Sequence, residues 1–244
     1  ESGTPVCLPE GDNQTSFLAS VREPERAISF NVGTGGQVTL LLPNGAPLWH
    51  RAQLEQRPFP GGRTILTGAS LAGGKSFEIL TRLVDEVAVA VGAPIDDPLA
   101  LVTNLACPEN VPVVRSTFAG TRNDASVRGS ISSIGFDNFT LAHLYWGIAA
   151  GVIGELLEMA KPYLSILDHA DSYVVASGNG LSRSVAMQTV LAQRIQRPVR
   201  WLTQSEAAAR GAALLAGAAA KGGVSCLHDL QMNTIHYASK SLMA

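Results

Sequence analysis

Residues Tyr173–Gly222 read YVVASGNGLSRSVAMQTVLAQRIQRPVRWLTQSEAAARGAALLAGAAAKG. An apolar strand runs into a Gly178-Asn179-Gly180 turn, followed by a helix, a short strand and an Ala-rich helix over Ser205 to Ala220. Gly222 is the expected C-terminal stop of that last helix. A glycine turn between a strand and a helix admits a flat or anionic ligand to the backbone, at the positive end of the helix dipole. The stretch is therefore a candidate nucleotide site.

The composition around it bounds the class. The chain has 244 residues, 46% hydrophobic and 16% charged, with a formal net charge of −2. It can bury a large core and is not disordered. The absence of a dense Lys/Arg block gives no nucleic-acid footprint. No apolar run reaches the ~20 residues that span a bilayer, and no signal core opens the chain. Cys7, Cys107 and Cys226 are too far apart for metal-ligand spacing and read as reduced cytosolic thiols. The chain starts at Glu1, not Met, with Thr4–Leu8 already strand-like. It reads as a part of something longer.

Upstream, Ala27–Asn31 and Gln37–Leu42 alternate as two strands joined by the hairpin Gly33-Thr34-Gly35-Gly36. Asn44-Gly45 is a second turn, and Arg63–Leu66 a short strand leading into Gly68-Ala69-Ser70. Helical spacing of Leu71, Phe77, Leu80, Leu83 and Val84 predicts a helix over Ser70–Val91. Pro94–Pro98 breaks it, with Asp96-Asp97 as a helix-start or loop feature, not an acid/base pair, before a short helix through Leu105. Val111–Phe118 is an expected strand, and Asn138–Lys161 a long helix with Thr140 as N-cap and Pro162 beyond its end. The tail from Cys226 has no assigned structure. One α/β domain accounts for this order.

Several pieces carry chemistry, each with a plainer alternative. Asp12 in Gly11-Asp12-Asn13-Gln14 suits a general base toward a hydroxyl oriented by the amides, or an Asx turn or helix cap. The Gly33–Gly36 hairpin presents backbone N–H groups and Thr34 to phosphate oxygens, unless its glycines only serve the turn. Ala69–Ser76 nearly matches the phosphate loop G-x-x-x-x-G-K-[ST], with Ala69 where the first Gly belongs. A Gly-Gly irregularity at a helix start explains it as well. Arg183 stands where a dinucleotide fingerprint needs its third glycine, which disfavours a dehydrogenase. The five histidines form no ligand pair, and no G-x-S-x-G elbow is present.

The order of motifs resembles a known family. Gly11-Asp12-Asn13-Gln14, GTGG, TGASLAGG, FAGTR with VRGSISSI, ASGNGLSRS and EAAARGAALLA together resemble the C-terminal half of an FGGY-family carbohydrate kinase. The likeness runs to about Gly223, and FAGTRNDASVRGSISSIGFDNFT is most similar to the sedoheptulokinase-like branch.

The resemblance implies a ribonuclease H-like lobe of the actin-like ATPase superfamily, residues 1–223, with 224–244 as a tail packed on it. It implies ATP and Mg2+ as cofactors, and a missing N-terminal lobe and a sugar as partners. A homodimer is left open. Asp12 would be the base and Asn13 would help hold the sugar. Gly33, Thr34 and Gly35 would contact the β- and γ-phosphates, Gly68 and Ala69 would form a glycine turn beside the nucleotide, and Gly178, Asn179 and Gly180 would pack near base and ribose. Many relatives have Gly where Asn179 stands. The first phosphate hairpin and most sugar contacts belong to the other lobe, so the chain alone is expected to bind nucleotide weakly and turn over little. A non-catalytic nucleotide module and, less favoured, a phosphate-loop ATPase are the rival readings.

Overall fold

Successive residues of the central strands enter opposite faces of the sheet, and both faces are covered. In a computed structural model describing residues 9–43 and 54–238, Ile28, Phe30 and Val32 enter one core while Ala27 enters the other. Val174 and Ala176 likewise face the first core, with Tyr173 and Val175 facing the second. A period of two with apolar residues on both sides makes a sheet sandwiched between helices.

In chain order the elements are α1 (Asp12–Ser20), β1 (Ala27–Val32), β2 (Gly36–Leu41), β3 (Leu54–Phe59), β4 (Arg63–Ser70), α2 (Glu78–Ala90) and α3 (Pro98–Thr103). They continue with β5 (Val113–Arg115), β6 (Ser130–Ser132), α4 (Leu141–Ala160), β7 (Tyr173–Ser177), α5 (Asn179–Arg183), α6 (Val185–Ile195), β8 (Val199–Leu202), α7 (Ala207–Lys221), α8 (Leu227–Thr234) and β9 (Tyr237–Ala238). The main sheet has the order β3-β4-β2-β1-β7-β8-β9. Its β1-β7 and β7-β8 pairs are parallel and the others antiparallel. Helices α4 and α6 cover one face, and α1, α7 and α8 the other.

Most expected elements form. Thr140 caps α4, accepting from His143 N–H, and Asp97 caps α3 through Leu99 and Ala100 N–H at 3.0 and 3.1 Å. Gly222 ends α7 at φ 118°. The helix after the Gly178 turn is two helices, broken at extended Ser184, whose hydroxyl caps α6.

Four expectations are corrected. The helix assigned to Ser70–Val91 begins as α2 only at Glu78, because β4 extends to Ser70 and a 3-10 turn covers Gly74–Phe77. Leu71 and Leu83, assigned to its apolar face, are exposed. The strand at Val111–Phe118 shrinks to β5, paired with β6 outside the main sheet. No helix was read at Asp12, where α1 forms, its polar first turn masking buried Phe17 and Leu18. The tail supplies α8 and the edge strand β9. The Thr4–Leu8 strand, the Asn44-Gly45 turn and the last six residues lie outside the described residues.

Candidate functional site

Three backbone segments converge at the ends of β1 and β7. The hairpin tip Gly33–Gly35 joins β1 to β2. Gly73-Gly74 lies across it, with Gly74 N–H donating to Gly33 O at 2.8 Å and Lys75 N–H to Thr34 O at 3.1 Å. Gly178 leaves β7 at φ 93°, where a Cβ would overlap Asn31 Oδ1 and the Val32 carbonyl oxygen. A Cβ on Gly180 would sit 2.9 Å from Val32 O, and one on Gly74 2.8 Å from Gly33 O. Only glycine permits this approach. Asn179 starts α5 with ordinary helical backbone, so the middle position of the turn accepts a side chain.

Two cavities flank the hairpin tip, and Gly33 lines both. The larger, about 710 Å3, is bounded by Thr34, Gly74, Lys75, Tyr145, Asn179 and Gly180. That volume is of the size that holds a nucleotide. Tyr145 is fully buried, its ring 5.2 Å from that of Phe77 and its hydroxyl 3.0 Å from Ser184 Oγ. The wall opposite comes from α2 and α3, through Glu78, Thr81, Asp97 and Leu99. Sequence reasoning missed that wall. Its available signal is Asp97 before Pro98, one of two residues expected as a helix-start or loop feature; Asp97 caps α3, and nothing local connects it to the glycine turns.

The smaller cavity, about 310 Å3, holds Asp12, Gly35, Gly36, Ala69 and Arg122. Asp12 is exposed in the first turn of α1, and its Oδ1 accepts from Asn13 N–H at 2.7 Å. Asn13 is buried and committed elsewhere. Its Nδ2 donates to Gln37 Oε1 at 3.0 Å and to Thr39 Oγ1 at 3.4 Å, and its Oδ1 accepts from Thr67 Oγ1 at 2.8 Å. The amide expected on a sugar thus fastens α1 to β2 and β4 and fixes where Asp12 points.

Gly68 and Ala69 are not in a turn. They lie inside β4, opposite Val38 and Gln37 of β2, because antiparallel pairing carries the strand through to Ser70. A Cβ on Gly68 would press on Met159 Sδ at 2.8 Å, so this glycine admits α4 to the sheet. The turn beside the hairpin is Gly73-Gly74. The phosphate-loop likeness also fails on geometry. The Gly74 and Lys75 N–H groups donate to the hairpin and Ser76 N–H to Gly73 O. The buried Ser76 hydroxyl donates to Ala72 O. A phosphate cradle needs those donors directed at the ligand.

The fold and these motifs coincide with a family. Residues 66–220 match the FGGY family of carbohydrate kinases, C-terminal domain, and the chain belongs to that family. No curated protein matches it in sequence. Among solved structures it is similar to xylulose kinase from Rhodospirillum rubrum, at 20% identity and TM-score 0.73, covering 94% of this chain and 45% of that one. It is also similar to gluconate kinase from Lactobacillus acidophilus, at 17% and 0.71, covering 92% and 44%. Plasmodium falciparum glycerol kinase with ADP aligns at 18% and 0.69, covering 94% and 45%. At these identities the likeness establishes the ribonuclease H-like sugar-kinase fold. The chain spans less than half the length of each.

Proposed function

We propose that this chain is the nucleotide-binding lobe of an ATP-dependent carbohydrate kinase that transfers the γ-phosphoryl group to a sugar or polyol hydroxyl. One observation carries the reading: a nucleotide-sized cavity and Asp12 lie on opposite sides of the same hairpin tip. A phosphate chain laid across Gly33, Thr34 and Gly35 leads from the first toward the second. Family membership supports the reaction class.

The residues fit a nucleotide, since the close packing that Gly74, Gly178 and Gly180 permit against Gly33 O and Val32 O leaves a cavity of nucleotide size beside the hairpin tip. Gly178, Asn179 and Gly180 take the base and ribose side. Asp12 removes the proton of the attacking hydroxyl, and Asn13 holds Asp12 in place from below. Gly68 lets α4 approach β4, Ala69 lines the small cavity, and Gly73-Gly74 assumes the role of the turn beside the nucleotide. Phosphoryl transfer needs positioning and charge neutralisation, part of which Mg2+ supplies. Among the described residues no group of three or more His, Cys, Asp or Glu could hold a metal ion. Asp12, the one carboxylate among the described residues lining the small cavity, would face Mg2+ brought in on the phosphates, which would supply part of that neutralisation.

The acceptor in this reading is sedoheptulose, another ketose, or a related sugar or polyol, held chiefly by an N-terminal lobe. The reading places the enzyme in the cytoplasm. Among the described residues no helix is long and apolar enough to cross a membrane.

The test supplies the missing lobe and measures transfer. Asp12→Asn is expected to reduce turnover by about 10²–10⁴-fold while ADP affinity is retained. Loss of nucleotide binding as the main defect argues against the base. A wild-type pair of lobes that binds ATP without transferring favours the non-catalytic nucleotide module. Lys75→Ala is expected to have a modest effect, whereas a phosphate-loop ATPase would be crippled by it.

A further inference from the structure

The small cavity beside Asp12 contains a cation that the reading above leaves without a role. Among the described residues lining it, Arg122 is the only Arg or Lys. Lys75 and Arg183 line the larger cavity instead. Arg122 is far from Asp12 in sequence, so the fold has to deliver it there.

The delivery is structured at each step. Glu155 of α4 accepts through Oε2 from Ser70 Oγ at 3.0 Å and from Ser116 Oγ at 2.6 Å, tying the start of the Arg122 loop to the end of β4. Gly120 turns at φ 81°, where a Cβ would come 2.9 Å from Ala125 Cα. Thr121 N–H donates to Asp124 O at 2.9 Å, Asp124 N–H to Thr121 Oγ1 at 3.1 Å, and Ser126 N–H to Asp124 Oδ1 at 2.8 Å. Arg122 stands on that closed loop.

Its guanidinium is then held from β3. Arg122 Nη1 donates to Glu55 Oε1 at 2.5 Å, while Glu55 Oε2 accepts from Arg57 at 2.8 Å. Arg57 first, and Arg122 after it, hold the Glu55 carboxyl below the usual carboxylate range against the opposing effect of partial burial. The Arg122 and Glu55 side chains are 42% and 48% exposed. Ion pairs this exposed stabilise a fold little, so stability does not account for the arrangement. What it achieves is to fix the guanidinium of a residue that lines the cavity, with most of its five donors unused by Glu55.

We propose that Arg122 is the cation that contacts the transferring phosphoryl group. The proposal rests on the kinase reading. The acceptor oxygen bonds to the γ-phosphorus and loses its proton to Asp12. The bond from phosphorus to the β,γ-bridging oxygen breaks, and ADP leaves with the electron pair. Charge is spread meanwhile over three equatorial oxygens. A planar guanidinium matches two of them at once, which a lysine ammonium cannot do. Arg122 makes and breaks no covalent bond.

The experiment titrates the 244-residue chain, with Mg2+, with ADP and with adenylyl imidodiphosphate by calorimetry, in wild type, Arg122→Gln and Arg122→Lys. Wild type is expected to prefer the triphosphate analogue. Arg122→Gln is expected to weaken the analogue about tenfold, with ADP affinity and melting temperature unchanged, and Arg122→Lys to recover part of the loss. An unchanged analogue affinity in Arg122→Gln, or an equal loss for ADP, overturns the assignment. So does an unchanged analogue affinity together with a raised KM for the sugar once the other lobe is supplied, which would put the guanidinium on the sugar. If wild type binds neither nucleotide, the nucleotide-lobe reading fails first and this one with it.

Discussion

Gly211 of α7 packs directly on Thr15 of α1, so closely that a Cβ at 211 would overlap the Thr15 carbonyl oxygen. Thr15 in turn donates through Oγ1 to Gly11 O and Asp12 O, both at 3.1 Å. Pressure at Gly211 therefore reaches the turn that carries Asp12. Gly211→Ala is expected to destabilise the chain by about 1–3 kcal/mol through overpacking, although alanine is intrinsically the better helix former. Urea unfolding checks the sign against Ala212→Gly on the exposed face of α7, which should cost about 1 kcal/mol for the ordinary propensity reason. A Gly211→Ala protein as stable as wild type would show that α1 can retreat without cost.

Asn13 separates two accounts of the small cavity. With its amide bonded to Gln37, Thr39 and Thr67, Asn13→Ala leaves the buried Thr67 hydroxyl short of its acceptor. The expected loss is about 1–3 kcal/mol in stability, with slower transfer in the two-lobed enzyme and ADP affinity kept. An amide that held the sugar would give a different result: raised KM for the sugar and little change in unfolding midpoint.

Much of this was legible because the signals are local. Gly178, the Gly33–Gly35 tip, the Thr140 cap and the Gly222 stop each follow from a single residue's backbone freedom or short side chain. The central strands could be read from apolar runs such as Tyr173–Ala176. What failed needed long-range information. Gly68 looked like a turn glycine because nothing local reveals that Met159 of α4 packs on it. The structural bonds of Asn13 leave no local sign because its partners lie 24 to 54 positions away. Helix α1 is hidden by a first turn holding Asp12, Asn13 and Thr15, residues of low propensity, and forms because α7 and the sheet bury Phe17 and Leu18. Arg122 belonged to a recognised motif, but only the folded loop brings it beside Asp12.

The Gly178 turn makes the clearest demand on backbone. At φ 93°, with Asn31 Oδ1 and Val32 O already in the space of a side chain, Gly178→Ala combines strain with overlap. Strain of this kind costs on the order of 1–3 kcal/mol. The variant should lose stability and ADP affinity together, since Asn179 and Gly180 move with it. Asn179→Gly is the control for strain. It lies in ordinary helix and should lose at most about 1 kcal/mol of stability, without the backbone strain that Gly178→Ala introduces.

The far edge of the sheet predicts a response to alkali. Tyr237 of β9 donates its hydroxyl to Ser20 O at 2.8 Å and accepts from Arg22 N–H at 3.3 Å, with its ring edge-on to Tyr173. Burial first, and Tyr173 after it, push the phenol far above the ordinary tyrosine range. The unfolded phenol ionises near pH 10. Below that pH both states keep the proton and the contribution is fully present. As pH rises past 10 the unfolded chain releases a proton that the native one retains, so stability falls by up to about 1.4 kcal/mol per pH unit from this group. Tyr237→Phe should lose about 1 kcal/mol at pH 8 for the missing hydrogen bond, yet decline less between pH 10 and 11. Urea midpoints at pH 8, 10 and 11 compare the two slopes, and parallel slopes would show that the Tyr237 phenol ionises as readily in the fold as out of it.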